Sequence, residues 1–210
     1  MGQGKEEGKG SKAYEQLKPC LERAMALQAA LVLFEWDNET LAPEEAGRYT
    51  AKIQGALSGA YQEIMTGETT GKLLEKCRKE TGLTEAEGAI VREALEEYER
   101  LVRIPPEEYR DYQELVAESA RVWAKAKEQQ DFDAFAPTLK KIISYQKKFA
   151  GYRAKNGQRL YDVMLDDYEK GFSMEKLDEF FGLLKKELVP FLKKVMDSKV
   201  EIRDDFLTGD

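Results

Sequence analysis

The chain has 210 residues, of which 42% are apolar and 35% charged, so it can bury one compact core or a large part of a bigger one. Its net charge of −7 argues against nucleic acid as a partner, because an acidic surface gains nothing by neutralising phosphates. The N-terminus lacks the apolar segment of a secretory leader, and the apolar run over 24–34 is too short to cross a bilayer. Cys20 and Cys77 form no CxxC pair, so we expect a cytoplasmic protein with reduced thiols and no membrane partner.

The predicted secondary structure is helical throughout. Beyond a flexible tail over residues 1–11, apolar residues recur at helical spacing and breakers separate the stripes. The predicted helices are 12–36, 43–65, 72–80, one beginning after Thr84, one after Pro105, 135–155, and one beginning after Ser173. Residues 160–172 are predicted to be the least helical stretch, and no run alternates with period two for long enough to need a sheet. The predicted fold class is all-α, with about seven helices in a single domain over 12–210.

Two local signals support these boundaries, and a third feature modifies the last helix. Thr84 with Glu87 has the sequence of a capping box, and Ser173 is a candidate N-cap. Pro190 lies inside the last stripe and is expected to kink that helix. The last stripe consists of Leu177, Phe180, Phe181, Leu184, Leu188, Phe191, Leu192 and Val195.

The most restrictive feature of the sequence is that it contains no histidine. Ser-His-Asp and Cys-His catalysis, HExxH zinc sites and di-iron sites built on Glu-x-x-His pairs all require this residue. A structural zinc site takes four Cys or His ligands, and this chain offers only two cysteines that are far apart in sequence. The absence of histidine therefore excludes each of these sites, and we assign no residue of this chain as a catalytic residue or as a metal or cofactor ligand.

Residues 67–72, Gly-Glu-Thr-Thr-Gly-Lys, superficially match a phosphate-binding loop. One residue too few separates the glycines, and Leu73 stands where a Ser or Thr holds magnesium in that motif. A predicted helix rather than a strand precedes the stretch. An ordinary turn followed by a helix is the better interpretation.

Carboxylates cluster at two places in the sequence. Glu35, Asp37 and Glu39 are expected to end one helix and to favour the N-terminus of the next. The second cluster consists of Asp162, Asp166, Asp167 and Glu169. It could bind a hard cation such as calcium weakly, but it lacks the glycine and the terminal glutamate of an EF-hand loop. Capping or solvated roles are favoured for both clusters, and a two-carboxylate glycosidase stays an alternative that no spacing supports.

Aromatic residues and lysine pairs each have a structural and a functional interpretation. Phe34, Trp36, Trp123 and Phe132 could stack on a ligand, but aromatic residues at helical spacing more often belong to the core. The Lys-Lys pairs that begin at residues 140, 147, 185 and 193 are interpreted as solvated helix faces rather than as a binding patch.

Several sequence blocks resemble one known family in their order along the chain. They are Trp36-Asp37-Asn38-Glu39-Thr40 with Pro43; Ile104-Pro105-Pro106; Trp123, Ala124 and Ala126 with Asp131-Phe132, Phe135, Pro137 and Leu139; Tyr161-Asp162, Leu165, Asp166-Asp167, Tyr168-Glu169 and Gly171; and Phe206-Leu207-Thr208-Gly209. Together they resemble the N-terminal part of the Taq-type carboxypeptidases, a family of zinc metallopeptidases. Ala42 departs from the usual Met of the first block, and Lys170 from the Pro of an E-P-G turn.

The resemblance implies an all-α, often dimeric enzyme that removes C-terminal amino acids from peptides with one zinc ion. In that family, two histidines of an HExxH helix and a later glutamate hold the metal, and the glutamate of HExxH is the general base. Those residues lie beyond the position that matches Asp210, so none can be placed on this chain.

We therefore expect a truncated, catalytically inactive N-terminal portion that helps to wall and cover the substrate groove, with peptide substrate bound only by the complete enzyme. A helical interaction or dimerisation module and an unrelated helical enzyme using carboxylates alone stay as alternatives.

Overall fold

The computed structural model describes residues 11–200 and 206–207, so the predicted tail over 1–11 lies outside this part of the chain except for Ser11. The described residues form eight α-helices and no strand, which confirms the predicted all-α class. The helices are α1 Lys12–Thr40, α2 Gly47–Thr66, α3 Glu68–Lys79, α4 Glu85–Leu101, α5 Pro106–Glu128, α6 Phe132–Arg153, α7 Leu160–Asp166 and α8 Met174–Met196. A 3₁₀ turn, Glu44–Ala46, precedes α2.

Local capping chemistry begins several of these helices. The Thr84 hydroxyl accepts the backbone N–H of Glu87 at 3.2 Å, and the Glu87 carboxylate accepts the backbone N–H of Thr84 at 2.8 Å. The predicted capping box is therefore confirmed. The side chain of Ser173 accepts the backbone N–H of Lys176, which confirms the predicted N-cap of α8.

Several predicted boundaries differ from the structure: α2 begins at Gly47 rather than at residue 43, and α3 begins at Glu68 rather than at residue 72. Two other differences are informative. Helix α1 does not end at Trp36 but continues to Thr40, whose hydroxyl donates to the Trp36 carbonyl at 2.6 Å inside the last turn. Residues 160–172, predicted to be the least helical stretch, contain α7 over Leu160–Asp166. A short helix with one buried side chain, Val163, shows too little periodicity to be recognised from sequence.

The chain divides into two compact units, Met1–Arg153 and Ala154–Asp210. Helices α1 to α6 belong to the first unit, and α7 and α8 belong to the second. The single domain predicted over 12–210 stays a prediction. None of the described helices is long and apolar enough to span a membrane.

Helix α2 lies at the centre of the first unit. It packs against α1, α3, α4 and most extensively α5, and α6 packs against α5. Gly55 allows α2 and α5 to approach closely, because a Cβ there would lie 3.2 Å from Glu114 Cβ and 3.3 Å from the Arg110 carbonyl oxygen. The core that results is centred on side chains such as Leu17, Leu74 and Cys77, which are fully buried.

A buried amide ties α2 to the end of α4. Gln62 is 1% exposed, and its Nε2 donates to the Ile104 carbonyl at 2.9 Å and to the Leu101 carbonyl at 3.4 Å. These carbonyls lie where α4 ends and the chain turns towards Pro106. The Leu101 carbonyl also accepts the backbone N–H of Ile104, while the Ile104 carbonyl lies beyond the helix and receives its donor from the amide.

Candidate functional site

The first carboxylate cluster lies within α1 rather than in a turn after it. Glu35, Asp37 and Glu39 belong to the last turns of α1, and no basic residue accompanies them in its last turn. Negative charge at the C-terminus of a helix interacts unfavourably with the helix dipole, so this cluster does not stabilise the end of α1. Backbone hydrogen bonds do so, because the N–H groups of Leu41 and Ala42 both donate to the Asp37 carbonyl, at 2.9 and 2.8 Å.

The second carboxylate cluster organises the second unit. Asp162 Oδ1 accepts the backbone N–H of Met174 at 2.8 Å and so joins α7 to the start of α8. Asp166 Oδ1 accepts the backbone N–H of Gly171 at 2.8 Å, and Gly171 has a φ of +74°, which a side chain would strain. The favoured capping role is therefore confirmed for these two aspartates, while Asp167 and Glu169 lie exposed in the turn that follows α7.

A polar cleft of about 570 Å³ lies in the second unit, next to this turn. Its wall includes Arg159, Asp162, Glu175, Asp178 and Glu179. Asp162 already accepts a backbone N–H, and the other carboxylates are exposed. The cleft therefore has the composition of a solvated surface depression.

The aromatic residues were predicted to belong to the core, and for three of them this is wrong. Trp36 is 58% exposed, Trp123 is 49% exposed and Phe132 is 66% exposed, while Phe34 is half-buried. The Lys127 ammonium lies 4.8 Å from the centre of the Trp123 ring, a cation–π contact at the surface. Helical spacing indicated an apolar face at each ring, but the described residues cover only part of it.

Two structural interpretations from the sequence are confirmed. Residues 67–72 form the junction between α2 and α3, where Glu68 opens α3 and pairs with Lys72, so this stretch is a turn and a helix start. The four Lys-Lys pairs lie on α6 and α8, and all eight ammonium-bearing side chains are exposed. Cys20 and Cys77 are free of disulfide bonds.

The strongest electrostatic perturbations are in the core of the first unit. Burial, reinforced by the nearby Glu97 carboxylate, raises the pKa of Tyr109 to about 12 and raises the pKa of Tyr61 as well. The Tyr61 hydroxyl donates to Glu97 Oε1 at 3.2 Å. Burial also raises the pKa of the Cys77 thiol, which disfavours the reactive thiolate. These shifts keep the two tyrosine hydroxyls and the thiol protonated, so none of them is prepared as a nucleophile or a base.

Comparison with known proteins identifies the family. Residues 16–210 match the family model described as Carboxypeptidase Taq (M32) metallopeptidase. The chain belongs to this family. The resemblance inferred from the sequence blocks is therefore confirmed, and the matched range extends through α8.

Curated and solved relatives agree with this membership. Carboxypeptidase 1 of Bacillus subtilis is 31% identical over 189 residues, which are 90% of this chain and 38% of the relative. Thermostable carboxypeptidase 1 of Pyrococcus furiosus is 34% identical over 176 residues, 83% of this chain and 35% of the relative. The chain thus spans less than two fifths of the length of these M32 relatives.

The solved structures show the same helical fold. The crystal structure titled BsuCP has a TM-score of 0.86 at 29% identity over 94% of this chain and 40% of its own. The structure of Pyrococcus furiosus carboxypeptidase described as Apo-Mg has a TM-score of 0.74 at 30% identity, over 91% of this chain and 38% of its own.

The described residues do not form a zinc site. The sequence has no histidine, and the buried Cys77 is surrounded by apolar side chains. Within residues 11–200 and 206–207, no three Cys, Asp or Glu side chains lie together in a way that could hold a metal ion. Zinc in proteins takes His, Cys and carboxylate ligands from several positions at once. No catalytic or metal-binding step is therefore assigned to residues of this chain.

The feature that residue types alone did not reveal is the extent of exposed apolar surface. Helix α8 has no buried residue although its stripe is rich in Phe and Leu. A second exposed group lies near the end of α1 and the start of α2; it consists of Val32, Leu33, Trp36, Leu41 and Tyr49. The breadth of the stripes in the sequence was the available signal for it.

Proposed function

We propose that this chain forms the N-terminal helical part of an M32 metallocarboxypeptidase and has no peptidase activity by itself. The observation that carries the proposal is a family match over residues 16–210 in a sequence without histidine. In the complete enzyme, a zinc ion held by the remaining part of the fold would activate the water that attacks the peptide bond. The residues of this chain would contribute walls and cover for the peptide groove.

The exposed group near the end of α1 supports this role. Val32, Leu33 and Trp36 are 60%, 66% and 58% exposed, and Leu41 and Tyr49 are 73% and 72% exposed. Large apolar side chains that are this exposed mark places where further protein or a ligand can pack. Trp36 belongs to the Trp-Asp-x-Glu-Thr block that carries the family resemblance, so this end of α1 is where we expect the chain to form a wall of the groove.

The test is a carboxypeptidase assay of the purified chain with added Zn²⁺ or Co²⁺. N-blocked peptides with different C-terminal residues are incubated with the chain, and released amino acids are quantified by mass spectrometry. Bacillus subtilis Carboxypeptidase 1, treated in the same way, is the positive control. We expect no release above that of a heated sample. Release that co-elutes with the chain, requires metal and disappears with a chelator would contradict the proposal.

A stand-alone interaction or dimerisation module is the second candidate function, and the exposed stripe of α8 favours it. Light scattering after size exclusion separates the two candidates, because a module of this kind forms a stable dimer by itself. The proposal also places the protein in the cytoplasm. Recovery of the chain in the membrane or secreted fraction of the source cells would contradict that part.

A further inference from the structure

Among the described residues, the stripe of α8 is an apolar surface that no other element buries. Its exposed members are Phe180, Phe181, Leu184, Leu188, Phe191, Leu192 and Val195, each between 36% and 61% exposed. At 100° per residue they fall on one side of the helix, because they recur at intervals of three, four and seven residues. The opposite side carries charged residues that include Glu179, Lys186 and Lys193.

The stripe exposes more apolar area than the largest apolar patch of a typical monomeric protein. Half-exposed Phe and Leu side chains each present about 100 Å², so the stripe offers on the order of 700 Å², against about 300–600 Å² for the largest patch of a typical monomer. Helix α8 buries none of its residues. Tertiary packing normally provides most of the stability of a helix. The 23 residues of α8 therefore receive little of this stabilisation from the rest of this chain.

We propose that the α8 stripe is the surface on which the remaining, C-terminal part of the M32 fold packs. This inference rests on the proposed function. The family match runs through the whole of α8, so the helix belongs to the shared fold rather than to an addition. The matched region makes up only 38% of Bacillus subtilis Carboxypeptidase 1 and 40% of the BsuCP chain, so these relatives contain more than half of their polypeptide without a counterpart here. We assign that additional polypeptide as the part that covers the α8 stripe.

A pair of variants on α8 tests the assignment. Phe181→Glu/Leu188→Glu places two negative charges in the stripe, seven residues apart. Lys186→Ala/Lys193→Ala is the matched control, because it lies on the opposite side with the same spacing and changes the net charge by the same amount. All four side chains are exposed in this chain, so both double variants should fold.

Each variant is measured in two contexts: the 210-residue chain, and a chimera in which the chain replaces the matching N-terminal part of Bacillus subtilis Carboxypeptidase 1. In the isolated chain, we expect both double variants to shift the Tm by less than about 2 °C, because exposed positions contribute little. In the chimera, the stripe variant should lower the Tm by at least about 5 °C, since it buries two charges, while the control changes little.

Several outcomes overturn the assignment. Equal Tm shifts in both contexts would show that nothing covers the stripe, and a wild-type chimera without cooperative unfolding would show that the two parts do not fit. A dimer of the isolated chain that the stripe variant dissociates assigns the stripe to a second copy. Binding to anionic vesicles that the same variant abolishes assigns it to a lipid surface. Peptidase activity of the chimera is a separate readout: a stable but inactive chimera contradicts the proposed function and leaves the packing surface in place.

Discussion

Gly71 lies near the start of α3, where this helix passes the ring of Tyr98 on α4. A Cβ at this position would lie 2.7 Å from the Tyr98 hydroxyl oxygen, 2.9 Å from Cζ and 3.0 Å from Cε2. Unstrained carbon contacts need about 3.5–4.0 Å, so the ring would have to move by up to about 1 Å. Tyr98 packs against the buried core, which opposes that movement.

The magnitude follows from two opposing effects. Overpacking costs about 1–3 kcal/mol, while Ala in place of Gly in a helix returns about 1 kcal/mol. We therefore expect Gly71→Ala to lower the free energy of unfolding by up to about 2 kcal/mol. The assay is urea denaturation followed by circular dichroism at the helix band, with the slope checked for constancy between variants.

Gly59→Ala in α2 is the matched control for this prediction. The atoms nearest to a Cβ at Gly59 belong to the side chain of Arg110 and begin at 3.8 Å, an ordinary contact. This variant should gain up to about 1 kcal/mol from helix propensity alone. If Gly71→Ala proves as stable as Gly59→Ala, the close approach of α3 to Tyr98 is refuted.

The remaining predictions concern buried polar groups of the first unit. Gln62→Leu leaves the Ile104 carbonyl without its amide donor, and should lower the free energy of unfolding by about 1–3 kcal/mol in the same assay; an unchanged urea midpoint would contradict the hydrogen bond. Burial raises the pKa of Tyr109 from 10.0 to about 12 and raises that of Tyr61 in the same direction. Because the folded pKa exceeds the unfolded value, the stability from these tyrosines is complete below about pH 10 and is lost as the pH rises towards 12. Unfolding at pH 8, 10 and 11 should show this fall, and Tyr109→Phe should flatten it; equal slopes in the variant would count against the burial of this hydroxyl.

Signals whose partners lie within a few residues could be interpreted from the sequence. The capping box of Thr84 and Glu87 and the N-cap at Ser173 depend on contacts three residues away, so residue identity was sufficient. Pro105 and Pro106 marked the start of α5 correctly, because proline is favoured in the first turn of a helix. The expected kink at Pro190 stays a prediction, although α8 continues through this residue.

Boundaries that depend on longer contacts were less accessible. Helix α1 continues to Thr40 through a polar segment, and Asn38 in that segment donates to the Gln54 side chain on α2 at 3.3 Å. The short α7 is held by the bond from Met174 N–H to Asp162. Neither contact is visible in a pattern of neighbouring residues, since each joins segments more than ten positions apart.

The sequence by itself determined the all-α class, the family and the lack of histidine donors for a metal site, because these depend on residue type, order and helical periodicity. Only the tertiary structure decided which apolar faces are covered. The residues of the α8 stripe recur at the same helical spacing as the buried residues of α2 and α3, yet they are exposed, and so are Trp36 and Trp123. Periodicity specifies that a helix has an apolar face, while the burial of that face depends on the segments that the rest of the fold brings against it.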